Sequence, residues 1–147
     1  MTKRLILIRH AKSSWDAPLD DHARTLNDRG RTSATLVGKW LCAKGYVPDA
    51  IYCSDAARTI ETTKRIVSAL GTTPLIQNIG AMYLSSAATL WKVLRQATGD
   101  TVALVAHNPG IAMFAEDVVA KEPDHHRFLD YPTCATLVCD FATNDWA

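Results

Sequence analysis

The sequence predicts an α/β fold around a mostly parallel sheet that is buried on both faces. Two observations carry this. Leu5–Ile8 and Thr101–Ala106 are continuous apolar runs of strand length with no polar alternation, as expected of strands covered on two sides. Segments of strand character also alternate with segments of helical period, which makes successive strands parallel and lines up their carboxyl ends. At 147 residues the chain fits a single domain over residues 1–147, large enough to bury roughly two thirds of its unfolded surface.

The first strand ends abruptly in Arg9-His10, with Lys12 two places on. Lys12 to Arg24 then lacks apolar periodicity and reads as a long loop, a length that in a compact domain often carries function. A helix follows from Asn27 or Asp28, either of which can cap free amides, with Ala34, Val37 and Leu41 inward beside Leu36 and Trp40, and Gly45 as its stop. Ala50–Cys53 forms a second strand. Ser54 is the expected cap of a helix from Asp55 to Leu70, with Ile60, Thr63, Val67 and Leu70 inward and Gly71 closing it. Pro74–Gln77 reads as a third short strand and Ala87–Ala97 as a helix with Leu90, Val93 and Leu94 inward. After the Thr101–Ala106 strand, His107-Asn108-Pro109-Gly110 opens a helix, with Asn108 as cap and Pro109 at the first helical position. Its inward residues are Ile111, Phe114, Ala115 and Val118. Lys121 to Asp130 is mostly polar, and Tyr131 to Phe141 holds a last strand.

Composition narrows the function. The hydrophobic share of 48% and charged share of 21% belong to an ordinary globular protein. A formal charge of +1 gives no global case for nucleic acid or a membrane surface, so anion binding has to come from local clustering. Lys3 and Arg4 before an apolar run mimic a signal peptide only superficially, because Arg9 and His10 interrupt the run. No run approaches the ~20 apolar residues of a membrane span, and cytoplasm is the expected location. Cys42, Cys53, Cys134 and Cys139 include no CxxC pair and read as buried free thiols, two of them in strands.

Three strand ends carry comparable chemistry: Arg9-His10, Arg58 just beyond the second strand, and His107 after the fourth. Ligands of open α/β sheets sit beyond the carboxyl ends of the strands, so these distant residues can meet there. Guanidinium groups suit phosphate, and the first turn of a helix favours an anion. A neutral imidazole can attack phosphorus while a second steadies the equatorial oxygens, and phosphoryl transfer needs little beyond such positioning and charge. Each residue also has a plainer role: Arg58 can pair with Glu61, His107 can be a satisfied core histidine, and Arg24 can pair with Asp20 or Asp21. The adjacent pair His125-His126 reads as a solvated loop. Trp15, Trp40, Trp91 and Trp146 read as core or rim, with Trp15 a candidate for the pocket border.

Arg9-His10-Ala11, Ser54-Asp55-Ala56-Ala57-Arg58 and His107-Asn108-Pro109-Gly110, in that order and spacing, resemble the histidine phosphatase superfamily with its phosphoglycerate mutase-like fold. Arg9 to Trp15 and Arg24-Thr25-Leu26-Asn27 resemble its SixA-type phosphohistidine phosphatase branch. The resemblance implies a three-layer α/β/α sandwich with a mostly parallel central sheet. It implies His10 as the nucleophile that becomes phosphorylated, Arg9, Arg58 and Arg24 as phosphate ligands, and His107 as stabiliser of the transferring group. Asn108 and Ser14 would stand at the pocket rim. No metal or cofactor is expected, and the partner would be a phosphohistidine-bearing protein or a small phosphorylated substrate. The alternatives are a small-molecule phosphomonoesterase of the same superfamily and a non-catalytic phosphate-binding module.

Two departures from the family pattern bear on this. Asp55 stands where proline is common, placing a negative charge near the anion. Around Gly80-Ala81-Met82-Tyr83 there is no acid to protonate a leaving group. An alkoxide needs such an acid, typically worth roughly 10²–10⁴-fold, whereas the imidazole of a phosphohistidine can leave already protonated. The expected substrate is therefore phosphohistidine on a protein.

Overall fold

The computed structural model describes residues 2–16 and 19–147; Ala17 and Pro18, within the long loop, lie outside them. Strands β1 (Lys3–Arg9), β2 (Ala50–Ser54), β3 (Leu75–Ile79), β4 (Thr101–Ala106) and β5 (Thr136–Phe141) form a sheet in the order β3-β2-β4-β1-β5. The first four run parallel, and β5 joins the edge antiparallel to β1. The helices are α1 (Asp28–Lys44), α2 (Ala57–Leu70), α3 (Ala87–Arg95) and α4 (Gly110–Val118).

Side-chain alternation along the strands divides the core in two, because successive residues of a strand point to opposite faces. Leu5 and Leu7 of β1, with Val102, Leu104 and Ala106 of β4, pack against Leu90 and Leu94 of α3 and Ile111 and Phe114 of α4. Ile6 and Ile8, with Ala103 and Val105, pack against Ala34 and Leu41 of α1 and Ile66 and Leu70 of α2. This is the expected three-layer sandwich, and it explains why β1 and β4 are apolar without a break.

Helix limits follow their caps. Asn27 accepts the Gly30 amide at 2.8 Å and starts α1, while Gly45 and Gly71 stop α1 and α2 in the left-handed conformation, at φ of 73° and 70°. The inward faces of both helices differ from expectation. Leu36 and Trp40 point outward, and α1 instead buries Gly30, Ala34, Gly38 and Leu41. Small residues are needed there: a Cβ on Gly38 would lie 2.7 Å from both Ala69 Cβ and Ile66 O. In α2 the buried row is Thr59, Thr62, Thr63, Ile66 and Leu70, with Ile60 and Val67 only half-buried. Two of these threonines bond inside: Thr62 Oγ1 takes the Ala11 amide at 3.0 Å and donates to Arg58 O at 2.7 Å, and Thr59 Oγ1 donates to Ala56 O at 2.9 Å.

Three further expectations are corrected. Ala56, not Ser54, holds the cap position of α2. Asn108 does not cap α4, which begins at Gly110 with Pro109 before it. The cysteines are free but not all buried, since Cys42 is exposed. Among the described residues no helix is long and apolar enough to cross a membrane.

Register places the site. Arg9 lies opposite Ala106, so His10 and His107 leave neighbouring strands at one level, and the His10 amide donates to Ala106 O at 3.1 Å. Helix α4 then turns away so tightly that a Cβ on Gly110 would lie 1.9 Å from the Ser85 carbonyl oxygen. Backbone meets backbone there, and neither can yield cheaply. We expect Gly110→Ala to lower stability by about 3 kcal/mol or more, read as a shifted midpoint in urea unfolding followed by circular dichroism.

Candidate active site

Beyond the carboxyl ends of β1, β2 and β4 lies a cleft of about 310 Å³ whose walls include Arg9, His10, Arg24, Arg58, His107 and Asn108. The structure thus brings six of the seven sequence-predicted site residues into one pocket. Ser14 is the exception: its hydroxyl accepts the Asp16 amide at 3.1 Å, and Ser13 stands in the wall instead.

His10 is 7% exposed and its Nδ1 lies 2.8 Å from the Ala11 carbonyl oxygen. A carbonyl can only accept, so Nδ1 carries the hydrogen and Nε2 keeps its lone pair. Burial, reinforced by the Arg58, Arg9 and Arg24 charges, lowers the His10 pKa to about 4. At neutral pH the ring is uncharged and its tautomer is fixed.

The His107 ring centroid lies 5.3 Å from that of His10. On one side Arg58 Nη2, which can only donate, is 3.4 Å from His107 Nδ1; on the other, Nε2 lies 2.6 Å from Ser54 Oγ. Nδ1 therefore accepts and Nε2–H donates. The Ser54 hydroxyl passes the chain to Thr59 Oγ1 at 2.8 Å, and Thr59 donates to the Ser54 carbonyl at 2.9 Å. Burial, followed by the neighbouring His10 and Arg58, lowers the His107 pKa to about 3. Ser54 was expected to cap a helix. Its actual task is to fix an imidazole, a pairing no local sequence signal could show because 53 residues separate the two.

Each polar side chain is held by further hydrogen bonds. Arg9 Nη1 donates to Tyr131 O at 3.2 Å, and Asn108 Nδ2 donates to Asp130 O and Tyr131 O at 2.8 and 3.1 Å. Arg58, 2% exposed, donates from Nη1 to Asp21 O at 2.7 Å and from Nη2 to Asp21 Oδ2 at 3.0 Å. The Nε groups of both Arg9 and Arg58 are buried without a partner among the described residues. Arg24 takes up the pairing open to it in the sequence: Nη2 meets Asp21 Oδ1 at 2.9 Å, while Nη1 donates to Ser13 Oγ at 2.7 Å and Ser14 O at 3.2 Å. Its guanidinium lies 3.4 Å from the Trp15 ring centroid, and Trp15 borders the cleft as an exposed rim.

Arg58 does not pair with Glu61, which instead takes Arg31 Nε at 2.7 Å and the Leu26 amide at 3.0 Å. Asp55 is drawn off by His22 Nε2, at 2.7 Å from its Oδ1, and does not stand in the cleft wall. The sequence offers Asp21 only as a partner for Arg24, alongside Asp20, and gives Tyr83 no role. The Tyr83 hydroxyl donates a short hydrogen bond to Asp21 Oδ2, and that bond, with those of Arg24 and Arg58, holds the Asp21 carboxyl well below the usual carboxylate range. Asp21 is one of several aspartates in its loop, and only the fold distinguishes it.

Buried Arg58 and half-buried Arg9, each with a spare N–H, together with two neutral imidazoles make a site for an oxyanion next to an unprotonated ring nitrogen. A family model described as the histidine phosphatase superfamily (branch 1) matches residues 5–80. A solved structure from Agrobacterium tumefaciens, provisionally named the phosphohistidine phosphatase SixA, is 30% identical over 92% of this chain and 90% of its own, with a TM-score of 0.82. One from Nakamurella multipartitia under the same provisional name shares the fold at 24% identity, covering 99% of this chain and 88% of that one, with a TM-score of 0.77. An uncharacterized chloroplastic protein of Arabidopsis thaliana is 35% identical over 122 residues, 75% of this chain and 56% of the relative. The present chain thus spans little more than half the length of that curated relative. With its motifs in one cleft, its phosphoglycerate mutase-like sheet and these matches, the chain belongs to the histidine phosphatase superfamily, branch 1.

Proposed function

We propose that the chain is a cytoplasmic phosphatase that removes the phosphoryl group from phosphohistidine on a protein, through a phosphohistidine formed on His10. The observation that carries this reading is the fixed tautomer of His10, whose unprotonated Nε2 belongs to a pocket of buried guanidinium groups. Nε2 attacks phosphorus, the new N–P bond forms, and the bond from phosphorus to the substrate imidazole breaks with the electron pair leaving on that ring. The phosphorylated His10 ring retains its Nδ1 hydrogen on the Ala11 carbonyl, which keeps it a good leaving group. Water then adds to phosphorus, the N–P bond breaks, and His10 returns neutral as dihydrogen phosphate departs. Arg9 and Arg58 place charge on the transferring oxygens through their spare N–H groups, and His107, tied to Ser54, backs that position.

The leaving group follows from Asp21. Among the described residues it is the carboxyl group in the cleft wall, and its partners keep it ionised at neutral pH, so it is no proton donor. An unactivated phosphate ester gains nothing from such a site, whereas a protonated imidazole leaves unaided. A protein substrate suits a cleft whose rim exposes Trp15 and Leu84.

Incubation with a phosphohistidine peptide and a quench in base should trap an acid-labile phosphate on His10, and His10→Ala should lower turnover by at least roughly 10³-fold. Unchanged turnover in that variant would refute the mechanism. Arg58→Ala should cost roughly 10²–10³-fold in kcat, measured with the same peptide. The peptide should outpace a simple sugar phosphate; the reverse preference would assign the site to small-molecule esters.

The depressed pKa values fix a pH response. In the folded protein His10 and His107 stay neutral until about pH 4 and about pH 3, whereas unfolded histidines titrate near their ordinary value of 6.5. Between these limits the unfolded chain binds more protons, so stability rises with pH, is complete above about 6.5, and is lost as pH falls toward 4. The His10 ring resonance followed by NMR should show a midpoint near pH 4, and a midpoint above 6 would contradict the buried neutral ring.

A further inference from the structure

One carboxylate stands in the site as a counter-anion to two arginines. Asp21 Oδ1 receives Arg24 Nε and Nη2 at 3.3 and 2.9 Å, Oδ2 receives Arg58 Nη2 at 3.0 Å together with the Tyr83 hydroxyl, and the Asp21 carbonyl receives Arg58 Nη1 at 2.7 Å. Arg24 is thereby nearly saturated: with Ser13 Oγ and Ser14 O it makes four hydrogen bonds, leaving one of its five N–H groups. Arg58 is less committed. Its Nη2 is divided between Asp21 Oδ2 and His107 Nδ1, and its Nε has no partner among the described residues.

Resting on the phosphoryl site proposed above, we infer that Asp21 is a displaceable internal anion: it holds Arg58 in the empty site and surrenders Arg58 Nη2 to a phosphoryl oxygen when substrate or phosphate binds. Burial decides which partner moves. The Arg58 side chain is 3% exposed and cannot leave the site without exposing its pocket, whereas the Asp21 side chain is 41% exposed and reaches water by rotating. Charge decides the direction, because a phosphoryl dianion attracts a buried guanidinium more strongly than a monoanion does. Arg24, held by Ser13 and Ser14, keeps the segment in place during the exchange. The empty site thus avoids a bare buried cation, and each phosphate bound must compete with a resident carboxylate, which speeds product release. Asp21 is a positioning residue on this view, acting through Arg58. It also opposes substrates that carry a second negative charge beside the phosphoryl group.

The test measures inorganic phosphate as a competitive inhibitor. Asp21→Asn, which keeps shape but removes charge, should tighten phosphate binding on the order of tenfold. Asp21→Glu, which keeps the charge, should stay near the wild-type affinity. Unchanged or weaker binding in Asp21→Asn, or equal tightening in Asp21→Glu, would overturn the inference. If Asp21→Asn does not fold, a structure of the wild-type protein with phosphate bound decides: Arg58 Nη2 should contact the anion and no longer Asp21 Oδ2, and a retained Asp21–Arg58 bond refutes the exchange. Failure of the wild-type protein both to bind phosphate and to form a phosphorylated His10 would overturn the site itself and this inference with it. Phosphate binding without tightening in the variant overturns only the role of Asp21.

Discussion

The parallel pairing of β1 with β4 is the constraint on which the site rests. Arg9 opposite Ala106 sets the two strands in register, and each chain leaves the sheet one residue later through a histidine. A slip of one position would turn every side chain of β1 to the other face of the sheet and set the two histidines out of step. The charged flanks of β1 oppose that slip, because Leu5 to Ile8 fill both core layers between Arg4 and Arg9, and a shift would carry a charged side chain toward the interior. The packing that makes the fold stable therefore also brings the His10 and His107 ring centroids within 5.3 Å of each other.

Burying cations beside neutral imidazoles is unfavourable unless the charges are compensated. The long loop after β1 supplies the compensation. It returns over the sheet edge to deliver Asp21 to Arg24 and Arg58, and its ends are held by Thr62 on the Ala11 amide and Glu61 on the Leu26 amide. Helix α2 thus does two things at once: its second residue enters the pocket, and its inward threonine and glutamate fasten the loop that neutralises it. This is why its buried row is polar where helical periodicity led us to expect Ile60 and Val67.

Much of this was legible in the chain. The five strands and four helices lie close to where period and caps place them, and the residues Arg9, His10, Arg58 and His107 stand out because strand ends of a parallel sheet share an edge. Where the fold departs from local pattern, the causes are shared. Trp40 and Leu36 were placed inward because size and hydrophobicity outweigh Gly38 in any periodicity count, while the close approach of α1 to α2 admits only a small residue. Ser54 and Asn108 were read as caps because local pattern sees only the adjacent helix. Both side chains are spent on distant partners, His107 in one case and the Asp130 and Tyr131 carbonyls in the other.

The sequence by itself determined the fold class, the strand ends that carry chemistry, and the pairing of imidazoles with arginines there, since all of these follow from local period and residue type. The tertiary structure alone decided protonation and charge. That His10 keeps a free Nε2 depends on the position of the Ala11 carbonyl, that His107 accepts at Nδ1 depends on Ser54 and Arg58, and that Asp21 is the anion among several nearby aspartates depends on where its loop lands. Hydrogen bonds and burial set these states over distances of a few ångströms, between residues that the chain separates by as many as 62 positions.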